Sequence, residues 1–363
     1  MNVALLIIST ILIVYIQSRI YRRWGLKSVE YSRSFDASHV FEGEDAHMIE
    51  IVSNQKLLPV LWLQLESEID SNLKFQRQNN LDIKHKQFHK SFFTLMPYTK
   101  ITRRHSLNCA KRGHYELKSA VLSCNDAFNI IQTYRELSLS ANITVYPKVL
   151  PIDKLQLPNS SWLGDIVVKR WIVDDPFMIS GIRDYQYGDS MNRINWKSTA
   201  RAGSLKVYNS DYTSNTKIVI LLNIQADENS WDSSTDNELM EKAISICASI
   251  ANYTLSKSIE TGFGCNSHNS HSSSDPVYIP AHFGNEHIYC ILESMAVMQL
   301  KRSVLFHIFL ENLLDKDIKN TDFLIVTAFI DEHIEKSIQR MKDQGNKVEV
   351  LNLYDTEIYK KRY

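Results

Sequence analysis

The chain opens on an unbroken apolar run and then changes its hydrophobic period twice. Residues 3–16 read VALLIISTILIVYI, and the first charge is Arg19. About 18 helical residues at about 1.5 Å each reach about 27 Å, close to the thickness of a bilayer's hydrocarbon core. A signal peptide needs a positive region before such a run and a small-residue cleavage site after it. Only the terminal amine precedes this run, and residues 15–19, YIQSR, offer no such site. The expectation is an uncleaved transmembrane helix over residues 1–20, single-pass in the cell membrane. Arg19, Arg22, Arg23 and Lys27 all follow the run. Flanking cations of that kind are retained on the cytoplasmic side, which predicts that the bulk of the chain is cytoplasmic. Tyr15, Tyr21 and Trp24 would stand near the interface as aromatic anchors.

From residue 27 to 151 apolar and polar residues alternate. Residues 46–52 read AHMIEIV, 60–66 VLWLQLE and 87–95 QFHKSFFTL, with further runs at 115–121 and 142–146. Period-two alternation broken by turn clusters predicts antiparallel strands in an all-β sandwich. Leu61, Trp62, Leu63, Phe92 and Phe93 are expected in its core. His85 and His89 stand four apart, a metal-ligand spacing only on a helix, and this run reads as strand or loop. From 217 to 363 continuous apolar runs alternate with helical patterns. Residues 218–224, 262–266, 323–329 and 348–353 read as strands; 237–260, 286–300 and 331–344 read as helices. A βαβ succession predicts an open, mostly parallel α/β sheet. Ligands of such sheets sit at the carboxyl ends of the strands, which points to Asn223, Gln225, Asp227 and residues 327–331.

Between the two folded parts, residues 152–216 read as a linker and a signature segment. Residues 181–201, GIRDYQYGDSMNRINWKSTAR, mix charges with aromatics, the composition of a buried or half-buried polar network. Asp189 can cap a helix beginning at Ser190, and Gly203 suits its far end. On that helix Arg193, Lys197 and Arg201 would share one face. Like charges at that spacing repel by roughly 0.2–0.5 kcal/mol per pair unless an acid sits opposite. Asp184, Asp189 or an external acidic group would serve. A brace inside the protein and a recognition surface both remain open.

The totals narrow the function classes. Lys+Arg and Asp+Glu both number 41 in 363 residues, a balance without the basic field that nucleic-acid binding requires. Five widely spaced cysteines without a CxxC fit a reducing compartment and no zinc site. No phosphate-cradling glycine loop and no GxSxG elbow occur. Cys265 with His268 or His271 lies beside a polar loop that fixes no geometry.

The signature carries a resemblance. Arg183-Asp184-Tyr185, then Gly188-Asp189, then Arg193 to Arg201 with Asn195, Trp196 and Lys197 between them, resembles the domain of unknown function 58 family. The resemblance implies a membrane anchor, a β domain, the signature, and a von Willebrand factor type A-like α/β domain over 217–363. Asn125-Asp126-Ala127-Phe128 stands where such chains turn a corner. Von Willebrand-like domains hold a divalent cation through DxSxS; here Asn223, Gln225 and Asp227 replace it, and amides are poor ligands for hard cations. No metal and no cofactor are therefore expected. The resemblance further implies a MoxR-type AAA+ ATPase as partner. The leading expectation is a non-enzymatic membrane-anchored scaffold or adaptor whose docking face is the signature. The alternative is a cell-envelope hydrolase or transferase with an unrecognised site.

Overall fold

The computed structural model describes residues 2–75, 81–83, 86–152, 155, 174–186, 191, 194–212, 217–225, 237–269, 275–316 and 318–355. Gly188, Asp189, Arg193, Asp227, His85 and His271 lie outside the described residues. The chain divides into two compact units, Met1–Lys148 and Val149–Tyr363.

The first unit begins with helix α1 (Asn2–Trp24), of which Leu5–Trp24 is long and apolar enough to cross a membrane. Ten strands follow. A four-stranded sheet has the order β1 (Val29–Phe35), β3 (Asp45–Asn54), β8 (Lys100–Cys109), β5 (Leu73–Phe75). A six-stranded sheet has the order β2 (His39–Phe41), β10 (Gln132–Tyr146), β9 (Gly113–Asn125), β4 (Val60–Asp70), β7 (Lys86–Leu95), β6 (Leu81–Ile83). All pairs are antiparallel except β2 with β10. The alternation explains the sandwich: β3 buries Ala46, Met48, Glu50, Val52 and Asn54 and turns the residues between them away. Two apolar clusters, each drawn from both sheets, form the core. One contains Met48, Ile69, Leu107 and Ile143; the other contains Val52, Leu65, Phe93 and Leu122. Each such side chain stabilises the fold by about 1.5–3 kcal/mol through burial. Trp62 and Phe92, expected in the core, are instead exposed. Their neighbours Leu63 and Phe93 take the inward positions, and consecutive strand residues cannot share a face.

The carboxyl end of α1 is fastened to the sandwich. Ser18 Oγ donates to Asp126 Oδ2 at 2.7 Å, and Tyr21 OH donates to Pro59 O at 3.1 Å. Asp126 also accepts from the backbone of Ile130 and Ile131 at 2.6 and 3.2 Å. Lys56 Nζ bonds the carbonyls of Gly25 and Lys27, both at 2.6 Å.

In the second unit, β11 (Asp174–Asp184) and β12 (Lys206–Tyr212) pair antiparallel, with helix α2 (Trp196–Ala202) between them in sequence. The remainder forms an open sheet. Its order is β16 (Val277–His282), β14 (Glu260–Cys265), β13 (Lys217–Leu222), β18 (Thr321–Thr327), β19 (Lys347–Asn352), parallel except at β16. Val219 and Leu221 of β13 pack on α5 (Phe306–Leu314) and α6 (Glu332–Asp343), while α3 (Asn237–Ser256) and α4 (Asn285–Val297) pair with one another and α3 meets β13 and β14. Residues 286–300, expected as one helix, leave helical backbone at Met298 and continue as β17 (Met298–Arg302), paired with β15 (Ser267–Asn269). Pairing with a partner strand overrides the helix propensity there, which is high for every residue of MQLKR.

Candidate functional site

The signature hairpin differs from its sequence expectation at the start of the helix. α2 begins at Trp196, and its N-cap is Asn195, whose Oδ1 accepts the Ser198 N–H at 3.0 Å. Asn195 holds extended backbone, as a cap must, and the β-bridge that Ile194 makes to Val207 keeps α2 from running back through Ile194; the expected start at Ser190 lies outside the described residues. Only Lys197 and Arg201 of the three cations therefore share the helix. Gly203 ends it with φ 68°, a left-handed conformation that costs glycine nothing. Asn195 donates its backbone N–H to Lys206 O at 2.8 Å, which fixes the helix against β12. Asp184 pairs with Lys206 at 2.6 Å; that hydrogen bond and the nearby ammonium hold its carboxyl below the usual range.

The expected half-buried polar network includes Gly188, Asp189 and Arg193, which lie outside the described residues. α2 buries none of its own residues. It is seven residues long, and the burial falls just before it on Ile194 and Asn195, and on Val207 of β12. Trp196 is 64% exposed, with Lys197 and Arg201 also exposed and Tyr185 half-buried. Among the described residues neither Lys197 nor Arg201 makes an ion pair. Ile182, Met191 and Leu205 are exposed as well. The signature thus presents an aromatic and cationic surface on a capped, sheet-backed helix.

The carboxyl edge of the open sheet is closed by amides. Asn223 Nδ2 donates to Thr327 Oγ1 at 3.0 Å, and Asn223 Oδ1 accepts from Gln225 N at 2.9 Å and Asn266 Nδ2 at 3.3 Å. Gln225 Oε1 accepts the Phe306 N–H at 3.2 Å, so it serves the first turn of α5, where Leu305 has no capping group. Asp331 caps α6 through Ile334 N at 2.7 Å. The neutral, hydrogen-bonded amides of Asn223 and Gln225 give a dication no charge, and Asp227 lies outside the described residues.

Sequence reasoning missed a buried ion network in the sandwich. Glu50 of β3 and Arg33 of β1 pair at 3.0 Å with both side chains wholly buried. Tyr31 OH donates to Glu50 Oε1 at 2.7 Å, while Glu50 Oε2 takes Ser91 Oγ at 3.1 Å and His105 Nε2 at 2.9 Å. His89 Nε2 lies 3.8 Å from the same oxygen, and its ring stacks on Phe75. Burial acts to raise the Glu50 carboxyl; the two histidines and the Arg33 charge outweigh it and hold the group far below the usual range. Burial pushes His89 down, so its ring is neutral. Glu50, His89 and His105 have the ligand types of a metal centre, with ligating atoms within 4.8 Å of one another. Yet both Glu50 oxygens are engaged and Arg33 already neutralises them, so a dication would add uncompensated charge to a dry interior. The arrangement is chemically an ion network. Its sequence signal was a charge at an inward strand position, Glu50 in AHMIEIV.

Cys265 is wholly buried in β14, and among the described residues of the second unit no arrangement that would make it a nucleophile is seen. Fold and site together define a mixed α/β protein with an apolar amino-terminal helix, a β-sandwich and an open sheet. The profile of the family described as Protein of unknown function DUF58 matches residues 181–359, which supports the resemblance drawn from the signature. No curated protein matches the chain. Similar solved structures include the CARDB domain of a Pyrococcus furiosus protein, at 12% identity over 33% of this chain and 90% of that one, TM-score 0.22. Spo0M, a sporulation control protein from Bacillus subtilis, has 12% identity over 44% of this chain and 58% of its own, TM-score 0.20. A non-cellulosomal cohesin from Archaeoglobus fulgidus has 11% identity over 32% and 89%, TM-score 0.21. Likeness this slight carries nothing about function.

Proposed function

We propose that the protein is a non-enzymatic scaffold or adaptor, anchored in the cell membrane by α1 with the bulk of the chain in the cytoplasm, and that the signature hairpin is its docking face. The observation that carries this reading is the exposure of Trp196 beside Lys197 and Arg201 on a rigidly capped helix. Tryptophan and arginine are the residues that dominate binding energy in protein interfaces, and a pre-ordered helix loses little entropy on docking. The four cations after the apolar run favour the cytoplasmic orientation. An open sheet with its first strand central, and strand order 3-2-1-4-5 by appearance, favours a von Willebrand factor type A-like second unit. Among the described residues its carboxyl edge carries the amides of Asn223, Gln225 and Asn266, which disfavours capture of a partner there through a metal and favours the signature as the recognition surface. The partner is a MoxR-type AAA+ ATPase.

The test is purification of the tagged full chain from solubilised membranes, with partners identified by mass spectrometry. The reading expects a MoxR-type ATPase, and expects Trp196→Ala to lower its recovery roughly 30-fold, as loss of a hot spot of about 2 kcal/mol does. Equal recovery from both proteins would remove the signature from the docking role.

A further inference from the structure

The exposed apolar side chains of the sandwich are gathered at one end. Leu57, Met96, Tyr98, Phe128 and Ile130 stand on the loops that follow β3, β7 and β9. Strand register brings these loops together: Val60 lies opposite Leu95, Trp62 opposite Asn125, and the Asn54 side chain bonds the carbonyls of Leu58 and Met96, both at 3.0 Å. The remaining exposed large apolar residues of the sandwich, Trp62, Phe92 and Tyr134, lie on strands in the half nearest the same end. Among the described residues of the sandwich no other large apolar side chain is exposed. Phe128 and Ile130 are 59% and 62% exposed, and both flank the corner whose Asp126 holds Ser18 of α1.

We infer that this end of the sandwich is a lipid-binding surface, seated in the headgroup region of the bilayer that α1 enters, with Phe128 and Ile130 inserted. The inference rests on α1 spanning the membrane. Three facts converge on lipid as the occupant. First, α1 leaves no linker. The apolar run ends at Ile16, and the hydrogen bond to the sandwich begins at Ser18, so the domain cannot stand off from the membrane. Second, the span is only just long enough. The roughly 18 residues before Arg19 reach about 27 Å against a hydrocarbon core of about 30 Å, which holds the residues that follow at the interface. Third, the chemistry fits an interface: Tyr98 and Trp24 are exposed aromatics, and the exposed Arg22, Arg23 and Lys27 supply cations for anionic headgroups. A protein partner would need to cover these loops while avoiding the bilayer that the adjoining helix already occupies.

The test places a photoreactive benzoylphenylalanine singly at Phe128, Ile130, Ile8 or Lys111 in the full chain. Each protein is reconstituted into phosphatidylethanolamine–phosphatidylglycerol vesicles carrying an alkyne-tagged acyl chain. Ile8 reports the span, and Lys111 lies on the turn at the opposite end of the sandwich. The expected result is lipid adduct at Ile8, Phe128 and Ile130, with Phe128 and Ile130 roughly tenfold above Lys111. Lipid at Ile8 alone overturns the inference while leaving the anchor intact. A protein adduct at Phe128, whether a second copy or another chain, overturns it in favour of that partner. Lipid at none of the positions overturns the anchor and the inference with it.

Discussion

Replacing Glu50 by leucine removes the only negative charge from a buried cluster that also holds Arg33, Tyr31, Ser91, His89 and His105. Arg33 has a wholly buried side chain, so the substitution leaves a guanidinium in a dry interior without its carboxylate. Removing one partner of a buried pair costs about 3–5 kcal/mol, a large share of a typical stability of about 5–15 kcal/mol. Arg33→Met should cost a similar amount, because it strands the carboxylate instead. The double variant should be far milder than the sum. Two apolar side chains would then join the clusters around Met48 and Val52 on either side, and the residual cost is that of the hydroxyls and imidazoles left short of a partner, about 1–3 kcal/mol. The cycle should therefore show a coupling above about 3 kcal/mol. Pulsed thiol labelling of the full chain in detergent, across a urea series, reads this unit alone through Cys109 and Cys124. Both are buried, and burial raises each thiol to about 11, so neither labels readily until the sandwich opens. A cost below about 1 kcal/mol for Glu50→Leu, or additivity of the two single variants, would refute the claim that the pair is buried and coupled.

Three further outcomes follow from the same contacts. The sandwich should lose stability on acidification below about pH 6.5: His89 is held neutral, so the unfolded chain binds the extra proton, by about 1.4 kcal/mol per pH unit. Glu50 adds a loss of the same sign below about pH 4.5, because its folded-state pKa is depressed; the urea series repeated at pH 7, 5.5 and 4 checks both, and a flat profile contradicts them. Asp126→Ala should destabilise the unit by about 3 kcal/mol, since Ser18 and two backbone N–H groups lose their acceptor; the same labelling assay measures it, and a change under about 0.5 kcal/mol would detach α1 from the account. Magnesium or manganese should leave the melting temperature unchanged, and a saturable rise would restore a metal to the edge near Asn223.

Long-range periodicity made most of the architecture legible before any coordinates. The continuous run at 218–224 marks β13, buried on both faces, and the alternation around Met48 and Val52 marks β3. Local signals failed where tertiary pairing decided the outcome. Helical pattern alone did not stop α4 at Val297, because β17 exists only by pairing with β15. The start of α2 was misplaced because Asp189 and Asn195 are both good capping residues, and the bridge from Ile194 to Val207 selects between them. Position along a strand reveals Glu50 and Arg33 as inward-facing, but their pairing needs the register of β1 on β3. Exposure of Trp196 could not be read from composition, since charges mixed with aromatics suit both a buried network and a binding face.

If the signature hairpin docks a protein partner, photo-cross-linking from position 196 of the full chain in intact cells should capture it. One dominant protein adduct is expected, a MoxR-type ATPase, and it should disappear when Arg201→Glu is added. An adduct pattern unchanged by Arg201→Glu, or no protein adduct from a membrane-inserted, folded chain, would contradict docking by the hairpin.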